Sequence, residues 1–415
     1  MGIKSINPLL KKLAPDAFFT MPLTWLRDKR IAIDASGWMY SNMAIARKKV
    51  IRKTDVATVE PDQSEIRKEW ILSAINFITG WLANKITPVF VFDGAKTHPE
   101  KVATQAKRRV ERESHRTKID ELYAQLKGDI LKLSTDVLEK LRSELSSYVN
   151  ISSEDFSIFK SVIQGIGIPC IFAVGDGEQL CSSLCIEGKV AAVFSVDTDN
   201  LANGCPLIIT GFSNGYSYDE YGNKIGLLDC VRLDKVLAGL NISHDKFVDL
   251  CIMCGCDFNS NIPNYGPAKS LKLLRDHGTI DNLPKNFDVT CLNHWRCRDI
   301  FSYRTSDEIM AKDDKNDHDS SKPVTSRLNI DKNAIVSARE YTDMAGVSGQ
   351  LERIIVGYNG MSVTQDGYIN QLNLGLAPKY VVPSRTLNLN IVVNNLSLNI
   401  LPANTSKVTL NVLSS

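Results

Sequence analysis

An α/β fold is predicted by this chain, with a mostly parallel central sheet flanked by helices and a small β-rich extension at the C-terminus. Two patterns carry the prediction. Short apolar runs end in an acid followed by small residues, and amphipathic helical stretches separate those runs, which is the rhythm of parallel βαβ units. "RIAIDASGWMY" (30–40) is the first such strand, closing on Asp34. "SEIRKEWILSAINFITGWLANKI" (64–86) places Ile66, Trp70, Ile71, Ala74, Ile75, Ile78, Trp81 and Leu82 at helical spacing. "TPVFVFDG" (87–94) is a second buried strand, closing on Asp93.

Residues 100–147 hold no Pro and one Gly, Gly128, among strong helix formers, and predict two or three helices. "FKSVIQGIGIPCIFAV" (159–174) predicts a helix, a Gly turn and a strand. "GKVAAVFSVDTDN" (188–200) is a strand with two acids at its end, and "PLIITGF" (206–212) is another strand. A helical stretch follows over about 232–257. Residues 304–335, which include "AKDDKNDHDSSKP" (311–323), have the composition of a flexible linker. Residues 336–415 are the β-rich extension of unknown role, where "RTLNLNIVVNNLSLNI" alternates apolar and polar residues and argues short strands.

With 415 residues, 43% hydrophobic and 23% charged, the chain has an ordinary globular composition. Its net charge of +2 means that any nucleic-acid surface must be local. The start "MGIKSINPLLKKLAP" has no apolar core or cleavage site of a signal peptide. No stretch approaches a membrane span, and ten scattered cysteines suit free thiols in a reducing intracellular compartment. "CIMCGC" (251–256) lacks a second thiol pair at ligand spacing and lies on an apolar helix, so it reads as buried thiols. The six His are scattered, with His98 nearest the acids described next.

Asp34, Asp93, Asp176, Glu178, Asp197, Asp199 and Asp257 all follow predicted strands or end an apolar helix. In a parallel sheet, ligands bind at the C-terminal edge of the strands. "VGDGEQ" and "SVDTDN" each carry two acids at i and i+2, on one side if the segment is extended. A lone Asp at a strand end is more often a helix cap or turn former. Seven in this pattern predict a cluster, and clustered carboxylates repel unless multivalent cations sit between them. Oxygen-only ligands select Mg²⁺, with Mn²⁺ able to substitute, and two such ions ~4 Å apart stabilise the attacking and leaving oxygens of a phosphoryl displacement.

From Lys96 to Lys118 eight Lys and Arg, among them Lys101, Lys107 and Arg108, stand against three Glu. A basic helix directly after Asp93 suits a phosphate backbone; a solvated charged face is the plainer alternative. In "GCDFNSNIPNYGPAKS" (255–270) an apolar helix delivers Asp257, and a turn follows. There Gly266 allows close approach, Pro267 starts a helix whose N-terminus favours phosphate, and Lys269 and Lys272 add charge.

These segments resemble the flap endonuclease family of XPG-like structure-specific 5′ nucleases. The likeness rests on "MGI", "IDAS" (33–36), "VFDG" (91–94), "GDGEQ" (175–179), "VDTD" (196–199), "GCDF" (255–258) and "YGPAKS" (265–270), and covers roughly 1–303. It implies a PIN-like 5′ nuclease core over 1–303, with a helical arch at about 96–147. It also implies a helix–two-turn–helix motif at about 245–280 that holds duplex DNA through a monovalent cation such as K⁺. The implied activity is Mg²⁺-dependent cleavage of flapped, nicked or branched DNA at single-strand/double-strand junctions, in replication, repair or recombination.

All seven acids fall on the family's metal positions, with Asp176 where Glu is usual. Lys101 and Arg108 fall on arch positions that engage the scissile phosphate, Tyr40 where an aromatic stacks on a base, and Arg47 near a substrate-strand contact. The turn departs from the family with Asn264 at its first Gly, which a left-handed backbone tolerates, and with Ala268 for a typical Lys. "QLNLGLAP" (371–378) lacks the aromatic pair of a sliding-clamp motif, which weighs against clamp binding. A monomer acting in the nucleus or at a cytoplasmic DNA-replication site is the expected context. Within the superfamily the alternatives are an exonuclease, a Holliday-junction resolvase and an exoribonuclease. A nucleic-acid-binding scaffold without activity is the alternative outside enzymes, and such relatives lose metal acids that are all present here.

Overall fold

The computed structural model describes residues 2–96, 98–128 and 135–310. The expected linker beyond Met310 and the β-rich extension lie outside the described residues. In chain order the structure runs α1 (Ile6–Leu13), β1 (Phe18–Pro22), β2 (Arg30–Asp34), α2 (Ala35–Lys53), α3 (Gln63–Ala83), β3 (Thr87–Phe92), α4 (Lys101–Gly128) and α5 (Thr135–Ser147). It continues with α6 (Ser153–Ile166), β4 (Cys170–Phe172), α7 (Gly177–Ile186), β5 (Ala192–Phe194), α8 (Asp199–Ala202), β6 (Leu207–Tyr218), β7 (Lys224–Arg232) and α9 (Leu233–Leu240). Last come α10 (His244–Cys254), α11 (Pro267–His277), α12 (His294–Phe301) and α13 (Ser306–Ile309).

Seven strands form one sheet in the order β1-β7-β6-β5-β2-β3-β4. The block β6-β5-β2-β3-β4 is parallel, and β7 and β1 extend it antiparallel. The central strands are buried throughout, and apolar except at their ends, because helices cover both faces: all five residues of β2 and all six of β3 are buried. One face packs α2, α3 and α6, where the ring of Phe159 stacks on Trp38 and Trp70 at 5.5 and 5.2 Å. The other face packs α1, α7, α9, α10 and α12.

Several expectations need correcting. The stretch 232–257 is two helices, α9 and α10, because Asn241 takes a left-handed conformation (φ 51°) and Ser243 then caps α10. The strand expected over 206–212 is the first half of β6, which runs on to Tyr218; that extension, its hairpin partner β7 and β1 were not predicted. β6 carries β-bulges, and its outer half has few buried residues, so apolar alternation is lost there. The predicted basic helix is α4, 28 residues long. Its distal half is a packing helix, with Ile119 and Leu126 in a third small core with Leu141 and Leu145 of α5 and Ile51 and Val56.

Candidate active site

Four acids come off the C-terminal ends of adjacent parallel strands. Asp34 ends β2, Asp93 follows β3, Asp176 follows β4 and Asp197 follows β5. The i and i+2 pairs do not sit on extended segments, as expected, but at helix starts. Asp176 caps α7 with Glu178 in its first turn, and Asp199 opens α8. The helix starts supply backbone N–H groups that suit carboxylates. Glu178, Asp197 and Asp199 converge, with one oxygen from each within 4.8 Å of the others.

Hydrogen bonds aim the acids. Asp34 accepts from the Gly37 N–H at 3.0 Å and from Ser195 Oγ at 3.2 Å. Asp93 accepts from Ser36 Oγ at 2.6 Å and from the Gly177 N–H at 2.8 Å. A Cβ at Gly37 would lie 2.3 Å from Asp34 Oδ2, so the close approach requires glycine there. The Ile3 N–H donates to Thr198 Oγ1 at 3.0 Å, and Gly2 lies against Asp197. Ser36, Ser195, Gly37 and Gly177 escaped sequence reasoning as individual positioners. Their signal was a hydroxyl or glycine within three residues of an acid.

The electrostatics of the cluster are costly without a counter-charge. Burial pushes the Asp34 carboxyl up to about 7, and the charges of Asp93 and Asp197 add to the rise against the bond from Gly37. Burial, then the charges of Asp197, Asp176 and Asp199, raises Glu178 well above the usual carboxylate range. Burial, then Asp197, does the same to Asp199, and burial raises Asp197. Asp199 Oδ1 is buried with no hydrogen-bond partner. An orphaned buried oxygen among converging carboxylates, with oxygen donors only, fits a hard divalent cation.

α4 reaches over this cluster. Lys101 Nζ donates to Asp176 Oδ2 at 2.5 Å and lies 5.2 Å above the Phe258 ring. Burial alone would lower the Lys101 ammonium, but Asp176 and Glu178 outweigh it and hold the ammonium well above its usual range. Arg108 donates to both oxygens of Asp257, at 2.7 and 2.8 Å. Thr104, which sequence reasoning missed, donates through Oγ1 to the Asp257 main-chain O at 2.9 Å. Its signal was the i, i+3, i+7 spacing with Lys101 and Arg108.

Elsewhere basic residues of α4 are paired along the helix, Arg109 with Glu113, Arg116 with Asp120 and exposed Lys107 with Glu111 at 3.9 Å, and Arg116 also reaches Glu60 before α3. His98, half-buried, packs its ring against Phe258. The "CIMCGC" cysteines are free and buried.

Tyr40 is partly exposed on α2, six residues past Asp34. Arg47 contradicts the expectation of a substrate contact. It is 6% exposed, donates through Nε to the Leu145 main-chain O at 2.5 Å, and lies 5.2 Å above the Tyr148 ring. Its helical position faces α5, so it pins α2 to that helix. Gly266 caps α11 with open space around it, and Lys269 and Lys272 are exposed on that helix. Asn264 holds the left-handed conformation (φ 65°) that the turn needs, and Lys269 Nζ donates to its carbonyl at 3.0 Å.

The chain is similar to known proteins. The family model "XPG N-terminal domain" matches residues 1–115, and "XPG I-region" matches 167–257. The chain is 34% identical over 291 residues to Flap endonuclease 1 of Cryptosporidium muris, covering 69% of this chain and 58% of that relative. It is 30% identical over 292 residues to Flap endonuclease 1-B of Physcomitrium patens, covering 69% of this chain and 76% of the relative. Among solved structures, the catalytic core of Rad2 in complex with DNA substrate (complex III) superposes with a TM-score of 0.50 at 17% identity. That likeness covers 86% of this chain and 99% of the other, and it bears on the fold.

Proposed function

The chain belongs to the XPG-like flap endonuclease family, and on that premise we propose that it is a structure-specific 5′ nuclease that hydrolyses DNA phosphodiester bonds near single-strand/double-strand junctions. The observation that carries this reading is the convergence of Glu178, Asp197 and Asp199 at the sheet edge beside the start of α4, whose Lys101 and Arg108 reach Asp176 and Asp257. Glu178, Asp197 and Asp199 would hold Mg²⁺ or Mn²⁺, and Asp34, Asp93, Asp176 and Asp257 would complete sites for two ions. When bound, such ions supply Lewis-acid stabilisation of the charge that develops on phosphate oxygens.

The chain's own residues do the rest. Lys101 and Arg108 exchange their carboxylates for the phosphate at the bond to be cut, fixing it over the acids. Tyr40 offers a ring to the neighbouring base. Gly266, Lys269, Lys272 and the N-terminus of α11 hold duplex backbone away from the cut, with a monovalent cation such as K⁺ in the turn. DNA is the partner, and the protein acts on it as a monomer without a sliding clamp.

The test is a gel assay in Mg²⁺ on 5′-labelled double-flap, nicked, four-way-junction and single-stranded RNA substrates. A single product one nucleotide into the duplex supports the flap reading. Mononucleotide ladders, symmetric junction cuts or RNA decay each select another branch of the superfamily. No cleavage in Mg²⁺ or Mn²⁺ with binding intact overturns the enzyme.

A further inference from the structure

Along the first three turns of α4, Lys101, Thr104 and Arg108 form the half-buried stripe, while the residues between them are exposed. All three bond to the acid cluster or its backbone, but the bonds differ in kind. Lys101 and Arg108 hold carboxylates, so a metal ion would compete with them for those oxygens and a phosphate would compete with the carboxylates for the two cations. Thr104 holds a main-chain carbonyl, which neither displaces.

The helix itself shows that this is not the default use of the hydroxyl. Thr117, thirteen residues on, donates back to the Glu113 carbonyl at 3.1 Å within its own helix. Thr104 instead crosses 153 positions of sequence to Asp257. The loop it reaches is locked. Asn259 accepts from the Cys256 N–H at 2.8 Å and donates to the carbonyls of Ile252 and Leu292 at 2.8 Å each.

We infer that Thr104 is a positioning residue: it pins the foot of α4 to the Asp257 loop and keeps the helix in register while Lys101 and Arg108 trade carboxylates for phosphate. This rests on the proposed nuclease reading. Thr104 touches no reacting group, so its effect is on rate rather than on binding.

The experiment compares Thr104→Val, which keeps the shape and loses the hydroxyl, with Thr104→Ser, which keeps the hydroxyl. The intact chain is assayed under single turnover with 5′-flap DNA in Mg²⁺. Losing one such hydrogen bond at the transition state should slow cleavage about tenfold in Thr104→Val. DNA affinity and melting temperature should stay near wild type, and Thr104→Ser should cut within about twofold of wild type. In the DNA-free protein, amide hydrogen exchange over 101–108 should be faster in Thr104→Val than in wild type or Thr104→Ser.

Wild-type cleavage and exchange in Thr104→Val, a loss of affinity with the rate unchanged, or a Thr104→Ser as slow as Thr104→Val overturns the inference. A wild-type protein that does not cut flaps refutes the nuclease reading instead. The exchange comparison then still decides whether Thr104 pins α4.

Discussion

Asp34→Asn should make the metal-free protein more stable at pH 8 while removing its cleavage. The Asp34 carboxyl, pushed up to about 7 by burial and by Asp93 and Asp197, is ionised at pH 8 at a cost. The unfolded chain titrates near 3.8, so the folded state holds the extra proton between about pH 4 and pH 7. Stability is therefore lost as pH rises through that window, and the full penalty applies above it. A shift of about three units corresponds to about 4 kcal/mol, and relaxation around the ionised group brings the expected gain to about 2–4 kcal/mol.

The Asn side chain is nearly isosteric. It can still accept from the Gly37 N–H and can donate to Ser195 Oγ, which gives up its own donation to position 34. The melting temperature in EDTA at pH 8 should rise by about 4–8 °C over wild type. At pH 5 the advantage should shrink to about a third. Adding Mg²⁺ should close or reverse the gap, because the wild type gains more from binding. The assay is thermal unfolding of both proteins at each pH, with and without metal. A variant no more stable than wild type at pH 8 without metal, or one with the same advantage at pH 5, refutes the view of Asp34 as a buried charge kept for a cation.

Asp197→Ala should abolish cleavage and leave flap-DNA binding intact by fluorescence anisotropy; cleavage near the wild-type rate would remove Asp197 from the metal site. Lys101→Ala should lower the single-turnover rate far more than the affinity, since its ammonium serves one phosphate; an unchanged rate would take Lys101 out of the chemistry. Arg47→Ala should lose about 2–3 kcal/mol of stability, because a buried guanidinium contact is removed. Its flap-DNA affinity should stay within about twofold of wild type, and a large affinity loss in a stably folded variant would restore the substrate contact.

What could be read from the sequence, and what could not, follows from how far each feature depends on distant chain. The central strands were legible because a strand buried on both faces is a continuous apolar run, and the acid after each run is a local mark. The antiparallel edge was not, because β1 is half-exposed and the β6–β7 hairpin is bulged, so neither keeps a clean period of two. The acids were found as residues and misplaced in detail. An i, i+2 pair reads as extended until the turn is known to become a helix start, and the capping bonds of Asp34 and Asp176 decide that.

Arg47 shows the opposite failure. A basic residue on a helix near the site reads as a contact, and only tertiary packing reveals that its side chain points at Leu145 and Tyr148. The same limit hid Thr104, whose partner lies 153 positions away in the sequence. In this chain, residue types that chemistry requires were therefore visible as local spacing. Residues that hold those types in place were not, because glycines, hydroxyls and a buried guanidinium acquire their roles from partners that no local pattern names.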